Sequence, residues 1–214
     1  MKTARLYNIY HSLLTALVMA SATLFISSCD NDKDDPVPEV AQEEADGWKL
    51  TFTKLDHDGA LIANDTTVVR FDDEGHPTPH HLHLTEGETY RLSIDAFYKG
   101  KSVKQEFIDE GDIHQFFFTG APDGVFEYTY KDQDKNGRGI GLEGELKVLS
   151  ATATGFDWTI TLSHGLNKAS THAQTWNSAT FRQAGGATDF EASLDMHPVE
   201  GEHHHDEDEH DHDH

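Results

Sequence analysis

Between Trp48 and Met196 apolar side chains return at every second position in short runs, and no segment longer than about ten residues carries a clean helical stripe. Strand side chains alternate between two faces, so a period of two gathers the apolar ones on one face of a sheet. Leu50-Thr51-Phe52-Thr53-Lys54-Leu55 is one such run, and Tyr90 to Tyr98, with Leu92, Ile94 and Ala96 in phase, is another. Thr66 to Phe71, Gln115 to Thr119, Val125 to Tyr130, Leu146 to Ala151, Phe156 to Leu162 and Asp189 to Leu194 continue the series between clusters of Gly, Asn and Asp. About eight or nine strands at this spacing predict an all-β fold, a single antiparallel β-sandwich, immunoglobulin-like or related, over residues 47–198. A short helix fits between Lys101 and Glu110 or around Asn167 to Ala179.

The flanks differ sharply from this domain. Lys2 and Arg5 precede an apolar run of 14 residues from Leu13 to Ile26, with no acidic residue before Asp30. That is the pattern of a secretory signal, and the run falls short of the roughly 20 residues needed to span a bilayer. It ends in Ile26-Ser27-Ser28-Cys29, similar to the lipobox at which bacterial lipoproteins are cut and acylated. Cys29 is the sole cysteine of the chain, so no internal disulfide competes for it. Residues 1–28 therefore read as a lipoprotein signal peptide and Cys29 as the lipidation site, where two acyl chains, palmitate among them, would anchor the chain stably.

Residues 29–46 are acidic and proline-containing, too polar to bury a core, and read as a disordered tether. The Asp30-to-Asp35 run also resembles the acidic export signal of Bacteroidota lipoproteins, which would put the chain on the outer face of the outer membrane; a plain solvated spacer is the alternative. Without residues 1–28 the chain carries 14 Lys and Arg against 39 Asp and Glu, a balance of −25. Such a charge disfavours nucleic acid and anionic lipid surfaces and favours cations as partners.

The last segment, residues 199–214, reads as a second disordered tail. From Glu202 to His214 all thirteen residues are His or acidic, with six histidines: His203, His204, His205, His210, His212 and His214. Imidazole beside carboxylate suits zinc, copper(II) or nickel in loose, multi-site geometry. Within the domain, His76-Pro77-Thr78-Pro79-His80-His81-Leu82-His83 places His81 and His83 on one face of an extended segment, a two-ligand platform that Asp72, Asp73, Glu74 or His57 would complete. Ligand-free loop histidines are the alternative. His114, and His164 with His172, are further candidates, each readable as a hydrogen-bonded structural histidine.

Asp132, Asp134, Asn136 and Glu143 fit the D-x-D-x-N-G-x5-E calcium-loop spacing. The flanks are strand-like, however, and Gly139 stands where an EF-hand carries an aliphatic residue, so a long acidic hairpin loop is the preferred reading. Gly139-Ile140-Gly141-Leu142-Glu143-Gly144 matches G-x-G-x-x-G without the βαβ context that gives the motif meaning. No nucleophile elbow, cysteine nucleophile or H-E-x-x-H helix is present, and the sequence gives no support to an enzyme.

Leu50 to Phe52, the Glu110 to Thr119 stretch with His114-Gln115-Phe116-Phe117-Phe118, the Tyr128-Thr129-Tyr130-Lys131-Asp132-Gln133-Asp134 to Gly141-Leu142 segment, and Ala184-Gly185-Gly186-Ala187-Thr188-Asp189 to Leu194 together resemble a family of small Bacteroidota outer-membrane lipoproteins. Members are often found beside TonB-dependent receptors, and the resemblance covers most of residues 48–196. Some carry the label of a type 1 periplasmic-binding fold superfamily, which implies an α/β domain; the strand pattern here implies β. The partner receptors imply delivery of a scarce nutrient across the outer membrane, and the histidines suggest a transition metal.

The expectation is therefore a membrane-anchored lipoprotein that captures zinc, or less readily copper or nickel, with calcium as a further candidate at the acidic loop, and presents the metal to an outer-membrane receptor. It would face the periplasm or the cell surface. A surface module that binds a host ligand or glycan, with Trp48, Trp158 and Trp176 as a stacking face, is the alternative. Metal sequestration rather than uptake is a third reading.

Overall fold

The alternation read from the sequence becomes two packed sheets in the computed structural model, which describes residues 45–201. Residues 1–44, with the expected signal segment and Cys29, and residues 202–214, with the six tail histidines, lie outside the described residues. Eleven strands form: β1 (Gly47–Leu55), β2 (Leu61–Phe71), β3 (Pro77–Thr78), β4 (His81–Thr85), β5 (Thr89–Tyr98), β6 (Lys101–Ser102), β7 (His114–Thr119), β8 (Phe126–Tyr130), β9 (Glu143–Val148), β10 (Phe156–His164) and β11 (Ala187–Val199). One sheet runs β3-β2-β1-β5-β9-β8 with β6 added at β5, and the other runs β4-β11-β10-β7. All ladders are antiparallel except β4 with β11, which is parallel.

Alternate residues of the two sheets meet in one core. Leu50, Phe52, Leu92, Ile94, Leu146 and Val148 face Phe116, Phe118, Trp158, Ile160, Leu162, Leu194 and Met196 within it. Aromatic rings cross the interface: Trp48 of β1 stacks on Phe190 of β11 at 4.6 Å, and Phe52 of β1 meets Trp158 of β10 at 6.4 Å. Each such side chain stabilises the sandwich by about 1.5–3 kcal/mol on full burial. The result is a β-sandwich without the alternating strands and helices implied by the α/β label.

Where the strands exceed the sequence reading, the reason is exposure. β2 begins at Leu61 rather than near Thr66 because its first half is open to solvent and paired to β1 through the backbone, so no apolar alternation marks it. The helix falls in the first of the two expected places, as α1 (Lys104–Asp109), with Phe107 fully buried. The 167–179 segment holds only a 3-10 turn at Thr171–Ala173, capped by the Ser170 hydroxyl, and another follows at Phe181–Ala184. These turns lay a second apolar cluster, Phe117, Leu166, Ala173, Phe181 and Ala184, over the outer face of β7 and β10. β7 is therefore covered on both sides, which explains its unbroken run of buried residues from His114 to Phe118. Among the described residues no helix is long and apolar enough to cross a membrane.

Candidate metal centre

β7 and β10 pair so that His164 lies directly opposite His114 at one end of the second sheet. Both point to the same side as Phe116 and Leu162, into the sandwich. β11 supplies the third member through a bulge: Phe190 pairs with Leu162 and Thr188 with Ser163, so Asp189 is the extra residue between them. A bulge re-aims a side chain that regular pairing would send outward. Here it turns the Asp189 carboxylate toward the two imidazoles.

The three ligand atoms are close together. His164 Nδ1 lies 2.8 Å from His114 Nε2, Asp189 Oδ2 lies 3.2 Å from His164 Nδ1, and Asp189 Oδ2 lies 3.5 Å from His114 Nε2. Metal bonds of about 2.0–2.1 Å at tetrahedral angles would place ligand atoms about 3.3 Å apart. The observed edges bracket that value, so a zinc-sized ion fits after shifts of a few tenths of an ångström. Among the described residues this is the group of His, Cys, Asp and Glu donors whose ligand atoms all fall within 4.8 Å of one another.

Surrounding contacts favour the ligand form. His114 Nδ1 lies 3.1 Å from the Glu110 carbonyl; as donor to it, the ring presents Nε2 as a lone pair, the outer-shell arrangement usual for a metal-bound histidine. Phe107 closes one side, edge-on to His114 at 5.2 Å. The side chains of His114, His164 and Asp189 are 0%, 5% and 2% exposed, so water does little to screen them. A carboxylate buried to this degree is costly on its own, and a metal ion beside it would offset that cost.

Lys168 does not serve that purpose. Its buried ammonium donates to the carbonyls of Gly111 at 2.7 Å and His114 at 2.9 Å and pairs with Asp134 Oδ2 at 3.1 Å. Burial holds the Lys168 ammonium below its ordinary pKa, against the pull of Asp134. Burial pushes the Asp134 carboxyl up, but the Arg138 and Asn136 N–H groups and the Lys168 ammonium outweigh it, leaving Asp134 below its usual range. This pair ties the loop after β8 to the strand that carries His114.

The calcium-loop residues are committed elsewhere. Asp132 accepts the N–H groups of Gly141, Leu142 and Glu143, and burial raises its carboxyl despite them. Asp134 Oδ1 accepts the N–H groups of Asn136 and Arg138, and Glu143 binds Lys104 and Ser93 at 2.6 Å each. The segment is an acidic hairpin loop stitched to its own backbone rather than a cation cage.

His81 and His83 stand on the exposed face of β4, their rings 5.4 Å apart, as period two requires. Of their expected completions, Asp72 closes a turn onto the N–H groups of Glu74 and His76, Glu74 lies 3.5 Å from His76 Nδ1, and His57 sits beside Asp58. The ring that does approach them is His197 of β11. His172, expected with His164, instead contacts Thr180 Oγ1 at 2.9 Å. Trp48 and Trp158 are buried, and Trp176 packs on the core against Tyr128, so the three tryptophans form no stacking platform.

Sequence reasoning singled out His114 and His164 separately and missed both their pairing and Asp189. The available signal was position: each histidine ends an apolar strand, where a polar side chain pointing inward needs a partner. No family model matches this chain, and no curated protein and no solved structure matches it.

Proposed function

We propose that this protein is a lipid-anchored carrier of a divalent transition metal, zinc before copper or nickel, which it presents to an outer-membrane receptor. The convergence of His114 Nε2, His164 Nδ1 and Asp189 Oδ2 at 2.8–3.5 Å carries the metal reading. Two imidazoles and a carboxylate suit zinc at three of its four positions. The acylation of Cys29, the outer-membrane location and the TonB-linked partner rest on the sequence pattern and the family resemblance. A buried centre releases its ion slowly, which suits retention, while the histidine- and acid-rich tail would supply loosely held metal at high local concentration.

The test is chelator-resistant zinc in the mature chain. After zinc loading and brief exposure to a competing chelator, one equivalent is expected to remain with the protein, and to be lost in His164→Gln. Replacing the tail histidines should lower total binding and leave the resistant equivalent in place. An unchanged resistant equivalent in His164→Gln, or none in the parent protein, overturns the assignment.

A further inference from the structure

We propose a second, solvent-facing metal site on the outer face of the second sheet, formed by His81, His83 and His197 with Asp195 supporting His197. It does not depend on the buried triad, from which it shares no residue. Parallel pairing sets Asp195 beside His81 and His197 beside His83, so the four side chains form a square on one face. Leu82 and Met196 between them, and Leu84 and Leu194 flanking them, are buried in the core, which fixes that face as the outer one.

The ring spacing approaches that of a three-histidine ligand set, although the ligand atoms do not all lie within 4.8 Å of one another as the side chains stand. Ring centroids are separated by 5.4 Å for His81 and His83, 5.3 Å for His83 and His197, and 6.0 Å for His81 and His197. Three imidazoles bound through nitrogen to one tetrahedral ion would have centroids about 5.2 Å apart, given metal–nitrogen bonds of about 2.0–2.1 Å. The rings are now tilted or edge-on to one another, and side-chain rotation, fast on the ps–ns scale for the exposed His81 and His83, is the movement that would turn their nitrogens toward His197. One ring is already oriented by the outer-shell pairing common at such sites: His197 Nε2 lies 2.8 Å from Asp195 Oδ2, leaving Nδ1 for an ion.

The backbone beneath makes room for this pair. A Cβ at Gly155 would fall 2.4 Å from His197 Nε2 and 2.6 Å from Asp195 Oδ1, so glycine there lets the ring and carboxylate lie against the sheet. Asp157, exposed and paired in register with Asp195, adds negative charge beside the square. The arrangement is open to solvent and would load and release a borderline divalent ion faster than the buried triad. The shared chemistry is zinc or copper(II), and zinc is the probe.

The full mature chain is footprinted with a histidine-acylating reagent, reading each histidine by peptide mass, with zinc raised until the tail peptides are protected. Near tenfold excess over the dissociation constant, protection of about tenfold is expected at His81, His83 and His197. His197→Ala, a substitution at a half-buried position checked for native thermal unfolding, should return His81 and His83 to the rates of the stripped protein. Unchanged rates at the three histidines on adding zinc, or protection of His81 and His83 that survives His197→Ala, overturns the proposal. Chelator-resistant zinc reports the buried triad separately, so failure of one site is not read as failure of the other.

Discussion

His114 Nε2 and His164 Nδ1 approach to 2.8 Å although the residues lie 50 positions apart in the chain. Two ring nitrogens at that distance must share something positive, a proton in the metal-free protein or an ion when loaded. With His114 Nδ1 donating to the Glu110 carbonyl, His114 Nε2 is left as a lone pair that a metal would take.

Asp189→Asn separates the two states. Without metal it removes a buried negative charge, so stability should hold or rise by up to about 2 kcal/mol. Zinc bound at the proposed centre should raise the unfolding midpoint of the parent protein by mass action. That gain should vanish in Asp189→Asn, and urea or thermal unfolding with and without zinc measures both. An equal zinc-induced shift in the variant would remove Asp189 from the site.

Gly155→Ala tests the exposed square without substituting a ligand. The added methyl displaces the His197 ring, and since the ring's outer end is mobile, stability should change by no more than about 0.5 kcal/mol. Zinc protection of His81 and His83 in the footprint should fall while the chelator-resistant equivalent stays. Undiminished protection would show that His197 needs no such seat.

The Asp134–Lys168 pair predicts an acid limb. Asp134 has a folded pKa below the ordinary carboxyl value of 3.8, so between the two values the unfolded chain binds more protons and stability rises with pH. Its contribution is complete above about pH 5 and is lost as pH falls through the folded value. Asp134→Asn leaves the Lys168 ammonium buried without its partner and should cost about 3 kcal/mol at pH 7. The difference from the parent should shrink near pH 3; a gap of constant size across urea titrations at both pH values would contradict the sign.

Phe107→Ala should lower stability by about 3–5 kcal/mol. The ring is fully buried between Trp48 at 5.4 Å and His114 at 5.2 Å, so its loss opens a cavity beside the triad. Chelator-resistant zinc should exchange faster in this variant even under conditions where it is fully folded. An unchanged release rate would show that α1 does not gate the centre.

Cys29→Ser should abolish incorporation of labelled palmitate and release the chain from membranes. Continued labelling would place the acyl group elsewhere.

The sequence alone determined what depends on near neighbours in the chain. Period-two runs such as Leu92-Ser93-Ile94-Asp95-Ala96 fix which residues turn inward, and the same rule put His81 and His83 on one face. It could not mark the first half of β2, where backbone pairing holds a strand with no apolar face. Only the tertiary structure decided which distant strands lie side by side. The β7–β10 register joins His114 to His164, a bulge in β11 swings Asp189 in, and the parallel β4–β11 pair brings His197 to His83. Alternation is a local property of the extended backbone, whereas register and bulges are set by the fit of two whole sheets around one core. The ligand sets depend on that fit.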